Sequence, residues 1–158
     1  MKKVMLLVAV FGLVGSLWAA DPLIGTWKLN VAKSKFSADF LAFEKAVAPK
    51  ESTLVIRELN TDQIEIADTG TGTDGSAISQ KGTQPKQGGT VSGFVEGMLF
   101  IHTVVNQNER IGTILQNGKQ IQVIRWVVSN DGKTLIDTRR STDTQGKPME
   151  HVLVYEKQ

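Results

Sequence analysis

The sequence predicts an all-β fold, an antiparallel up-and-down β-barrel of about eight to ten strands, on three observations. From Ile24 onward, short runs rich in Val, Ile and Thr are separated by turn-forming residues at intervals of about 8–12 residues, the spacing of sandwiches and barrels. The later connections contain Asn117-Gly118 and Asp131-Gly132, pairs that tolerate the positive φ angles of tight hairpins and so make successive strands antiparallel neighbours. Between those runs no helical segment offers a parallel crossover, and a meander this long removes its open edges most simply by closing on itself.

Gly25–Asn30 is the first expected strand. Ser52–Leu59 and Gln63–Asp68 follow, joined by Asn60-Thr61-Asp62, and the alternation of Ile64 and Ile66 with Gln63 and Glu65 marks a half-buried strand. Leu99–Val105, Arg110–Gln116, Lys119–Ser129, Thr134–Thr142 and Met149–Lys157 complete the series. Within Lys119–Ser129 the apolar parity changes from Ile121 and Val123 to Ile124, Trp126 and Val128. Either a bulge resets the register near Val123-Ile124 or Arg125 points into the interior.

Two segments read differently. Phe36, Phe40, Phe43 and Val47 fall on one helical stripe, which predicts a short helix near residues 39–47 with Ser37 or Asp39 as N-cap and Pro49 beyond its end. Thr69–Thr90 holds six glycines and Pro85 and is expected to be a mobile loop with one short strand at Ala77–Gln80.

The chain has 158 residues, 18 basic and 16 acidic, and no Cys. Lys2-Lys3, an apolar run from Val4 to Leu17 and Trp18-Ala19-Ala20 before Asp21-Pro22 have the layout of a secretory signal peptide. The run is shorter than the ~20 residues that span a hydrocarbon core. The expected organisation is therefore a cleaved signal at 1–20 and one domain at 21–158, secreted or periplasmic, with no stable membrane insertion. Removing residues 1–20 takes away two lysines and no acid, leaving a formal charge of zero. Such a domain has no basic excess to bind nucleic acid or an anionic membrane surface.

No local pattern announces catalysis, a cofactor or a metal. Gly70-Thr71-Gly72-Thr73-Asp74-Gly75 matches the phosphate-binding G-x-G-x-x-G, but Ser76-Ala77-Ile78-Ser79 has no helical periodicity to place a helix N-terminus there. With no cysteine, thiolate nucleophiles and thiolate metal sites are absent. His102 and His151 each sit inside an expected strand without a second ligand at metal spacing. An enzyme would need one of them to converge with a carboxylate such as Asp137 or Glu150, and a haem would need one as axial ligand.

At Gly25-Thr26-Trp27, continuing through Lys28-Leu29-Asn30-Val31-Ala32-Lys33-Ser34-Lys35-Phe36, and again at Val128–Leu135 and Thr142–Pro148 leading to Val154–Gln158, the chain resembles bacterial secreted lipocalin-like proteins, within the calycin set of barrels. The resemblance implies that Trp27 closes one barrel end under a basic side chain from a late strand, Arg125, Arg139 or Arg140. Because a small closed sheet can leave one ligand-sized cavity, a small apolar or amphipathic ligand is expected inside the barrel, without covalent chemistry, and Phe40, Phe43, Phe100, His102 and Arg125 are its candidate contacts. Arg125 would suit a ligand carboxylate. Phe40 and Phe43 would either cap a mouth or fill a gap in the core. The alternative is a solidly packed envelope domain that contacts another protein through its exposed strands and the Thr69–Thr90 segment.

Overall fold

One antiparallel sheet of ten strands accounts for nearly all of the computed structural model, which describes residues 21–92, 96–143 and 145–158. The expected signal peptide, residues 1–20, lies outside the described residues. The strands are β1 (Gly25–Leu29), β2 (Pro49–Glu58), β3 (Gln63–Gly72), β4 (Ala77–Pro85), β5 (Gly89–Ser92), β6 (Met98–Asn106), β7 (Glu109–Gln116), β8 (Lys119–Val128), β9 (Thr134–Thr142) and β10 (Pro148–Lys157), with a helix α1 (Ala38–Glu44) between β1 and β2. Sequential hairpins order them, and β1 pairs with both β2 and β10. That pairing curls the sheet into a nearly closed barrel whose two edges, β4 and β5, lie next to each other.

Strand parity gives the barrel an inside. Leu23, Trp27, Ile56, Ile64, Val128, Leu135 and Tyr155 pack together as one buried apolar plug at the end where β1 begins and β10 finishes. Trp27 is fully buried and its Nε1–H donates to the Leu23 carbonyl at 2.9 Å. At the opposite end α1 lies beside the barrel mouth. Ser37 is its N-cap, accepting from the Phe40 N–H at 3.2 Å. The helix stops at Lys45, which takes a left-handed conformation, φ 53°, so the turn ends before Val47 and leaves that residue exposed. No helix of the described residues is long and apolar enough to cross a membrane.

Two expectations are corrected. Thr69–Thr90 is not a mobile loop: β3 runs to Gly72, and β4 pairs with it from Ala77 to Pro85. A backbone ladder does not need apolar side chains, and here glycine serves close approach, since a Cβ on Gly70 would lie 2.1 Å from the Glu51 carbonyl oxygen. The G-x-G-x-x-G match is the end of β3 and its hairpin, with Gly75 at φ 85°. Finally, the β8 bulge lies earlier than expected. Ile114 pairs with Gln122 and Leu115 with Gln120, so Ile121 is the extra residue. From there Gln122, Ile124, Trp126 and Val128 face inward and Arg125 faces out.

Candidate ligand-binding site

Between the apolar plug and α1 the barrel keeps open space. A cavity of about 310 Å³ is bounded by Leu54, Ile66, Trp126 and Tyr155 on its apolar side and by Asp68, Gln84 and Asp137 on its polar side. Two more open cavities, about 380 and 560 Å³, continue toward α1 and the β7–β8 hairpin, and Gln80 and Arg139 line all three. Strand β9 explains the polar wall: its inward residues are Leu135, Asp137, Arg139 and Ser141, so one face of one strand passes from the plug into the cavity.

Charges on that wall hold one another. Arg139 donates from Nε and Nη2 to Asp137 Oδ2 at 3.1 and 2.9 Å, and its Nη1 lies 3.8 Å from Glu44 Oε2. Glu44, the last residue of α1, accepts from Gln122 Nε2 at 2.8 Å, tying helix to wall. The Asp137 carboxylate, outweighing burial, raises the Arg139 pKa still further. Burial raises the Asp68 pKa against the lowering effect of the Ser52 hydroxyl, which donates to it. Burial, then the negative charge of Asp68 and Asp137, raises that of Tyr155. Two polar atoms remain buried without a partner here, Trp126 Nε1 and Asp137 Oδ1.

The two histidines occupy separate places. His151 accepts from the Ser37 N–H at 3.4 Å, and its ring stacks on Phe40 at 5.3 Å and meets the edge of Phe36 at 5.4 Å. Burial, then the Arg139 charge, lowers its pKa. His102 donates from Nδ1 to the Pro85 carbonyl at 2.9 Å, and burial above all depresses its pKa. It lines a pocket of about 60 Å³ with Phe100, Gly112 and Arg110. Arg110 is ion-paired with Asp21 through Nη2. Among the described residues neither imidazole hydrogen-bonds a carboxylate, and no group of three metal-ligating side chains occurs.

Of the residues singled out in the sequence, Phe100 and His102 face this smaller pocket, Phe40 is fully buried against His151, and Phe43 is 41% exposed at the outer cavity. Arg125 is not an interior group: it is half-exposed and pairs with Glu109 at 2.7 Å, because the Ile121 bulge sets its parity outward. Arg140 also points out, to Glu150 at 2.6 Å. The cation over Trp27 is neither of these nor Arg139, whose partner is Asp137. It is Lys157, the cross-strand partner of Trp27, with Nζ 4.8 Å from the ring centre and 3.0 Å from the Pro22 carbonyl. Sequence reasoning missed Asp68, Trp126, Glu44 and Tyr155, and named Asp137 only as a possible partner of a histidine. The run Ile124-x-Trp126-x-Val128, and Leu135-x-Asp137-x-Arg139 opposite it, carried the usable signal.

A ten-stranded meander closed between its first and last strands, with one helix at the mouth and open space within, is a barrel of the lipocalin and fatty-acid-binding-protein type. The chain is similar in structure to the fluorescent protein UnaG. The wild type of that protein superposes with a TM-score of 0.59 at 17% identity, over 86% of this chain and 97% of the other, and an alanine mutant of it with 0.61 at 16%, over 87% and 97%. This likeness is one of fold. No family model matches the sequence, and no curated protein does.

Proposed function

We propose that the barrel binds a small apolar or amphipathic molecule in its interior and acts as a carrier rather than a catalyst. The observation that carries this reading is the cavity between the plug and α1, in which apolar walls from Leu54, Ile66 and Trp126 meet a few buried polar groups, the composition of small-molecule sites. That open interior favours a carrier over a solidly packed envelope domain. Burial of a twelve-carbon chain at ~0.8 kcal/mol per methylene gives about 10 kcal/mol gross, which association costs of ~4–15 kcal/mol reduce to micromolar affinity at best unless the polar groups add to it.

The neutral dye N-phenylnaphthylamine tests this: its fluorescence is expected to rise on addition of protein, with saturation in the micromolar range and displacement by lipid extracted from the protein purified from its own host. No enhancement and no co-purifying molecule would overturn the reading.

We also propose that residues 1–20 direct export and that 21–158 form the mature, secreted or periplasmic chain. Asp21 belongs to the barrel through its ion pair with Arg110, which supports a boundary just before it. The mass of the protein recovered from the medium or periplasm checks this, with a chain starting near Asp21 expected and an intact chain from Met1 in the cytosol as the contrary result.

A further inference from the structure

Trp126 and Asp137 are direct cross-strand partners on β8 and β9, face inward and line the same cavity. Asp137 is 1% exposed. One of its oxygens is taken by Arg139; the other, Oδ1, is buried without a partner, and so is the indole Nε1 of Trp126. An indole N–H can only donate, and a carboxylate held by a guanidinium can only accept. Cβ atoms of such a pair lie ~4.5–5.5 Å apart, so the two side chains stand side by side on the cavity wall.

Resting on the ligand-binding reading above, we infer that the ligand presents to Trp126 and Asp137 an uncharged group that accepts and donates together, of carboxamide or hydroxyl type. A carboxylate satisfies the indole but places its charge beside Asp137, with Asp68 on the same cavity. The cations lining that cavity, Lys81 and Arg139, are already engaged by Glu65 and by Asp137 and Glu44. An amine satisfies Asp137 but leaves the indole without an acceptor and adds positive charge near Arg139. An uncharged head with both functions fills both valences without either penalty. Leaving a buried polar group unpaired is what makes such sites discriminate strongly between otherwise identical ligands.

The test is a matched series on one chain length, decanamide, decanol, decanoic acid and decylamine, competed against bound N-phenylnaphthylamine at neutral pH. The amide or the alcohol is expected to bind at least tenfold tighter than both the acid and the amine, and the ranking of the two neutral heads separates carboxamide from hydroxyl. Trp126→Phe is expected to weaken the preferred neutral head about tenfold while leaving the amine unchanged. Asp137→Asn is expected to narrow the disadvantage of the acid; if it fails to fold for want of the Arg139 partner, Trp126→Phe alone decides. An acid or amine that binds as well as the neutral heads, or a ranking unmoved by Trp126→Phe, overturns the assignment. If the dye itself fails to bind the wild-type protein, it is the carrier reading that falls, and the head-group assignment with it.

Discussion

The two ends of the barrel are built from the same strands and differ in what those strands turn inward. On β2 the inward residues run Ile56, Leu54, Ser52 from plug to mouth; on β3 they run Ile64, Ile66, Asp68; on β9 they run Leu135, Asp137, Arg139. Each strand begins apolar and becomes polar as it approaches α1. At the plug, packing excludes water and holds the sheet closed. Toward the mouth, polar side chains hold one another at hydrogen-bond distance, as Arg139 does Asp137 and Ser52 does Asp68, and leave the space between them open. The difference places stability at one end and room for a ligand at the other.

If that division is right, Trp27→Ala produces the largest effect, a loss of roughly 3–5 kcal/mol of unfolding free energy, read from denaturant melts, because it empties a fully buried site and removes the ring under Lys157. The cavity residues are untouched, so dye affinity per folded molecule should hold. A small loss would mean that the plug is not what closes the barrel.

The helix offers the next break in the comparison. Phe40 is fully buried and stacked on His151, whereas Phe43 is 41% exposed. Phe40→Ala is expected to lose about 3 kcal/mol, at the lower end for such truncations, and Phe43→Ala less than about 0.5 kcal/mol, as for surface positions. A change in dye affinity confined to Phe43→Ala would make that residue a wall of the mouth; equal losses of stability would show that both rings are only core.

A smaller effect sharpens the polar side. Burial raises the Asp68 pKa above its ordinary value of 3.8, so between 3.8 and that raised value the folded chain holds a proton that the unfolded chain releases. That proton favours folding at low pH, and the benefit is lost as pH rises through the raised folded value. Asp68→Asn, which keeps an acceptor for the Ser52 hydroxyl without the charge, is expected to raise Tm by a few degrees at neutral pH. The gain should shrink as pH falls toward 3.8. A gain that is independent of pH would mean that the carboxylate is well solvated.

What was legible in the sequence follows the range of the forces involved. Hairpin turns at Asn117-Gly118 and Asp131-Gly132, the alternation around Ile64 and Ile66, and the Ser37 cap are local, and each stands where its residues imply. Lys157 over Trp27 is not local, since it depends on pairing the first strand with the last. The facing of Trp126 and Asp137 depends on a single extra residue at Ile121, and a sequence that carries Ile at 121, 124 and, as Val, at 123 does not say which of them is extra. Gly70 misled for a different reason: a glycine selected so that two backbones can touch looks, in sequence, like a glycine selected for flexibility.

Arg125 provides the smallest effect and a clean decision about β8. Facing out and half-exposed, its pair with Glu109 is of the kind that contributes about 0–1 kcal/mol and is screened by salt. Arg125→Ala is therefore expected to lower stability by less than about 1 kcal/mol, with less difference in high salt than in low, and to leave dye affinity unchanged. An interior Arg125 behaves otherwise: its removal would alter binding and would leave a buried carboxylate without its cation, a loss of about 3–5 kcal/mol that salt does not diminish. The salt dependence of one surface variant thus reports on which residues of β8 face the ligand, because shifting the bulge by one position exchanges Arg125 for Trp126 on the inner wall.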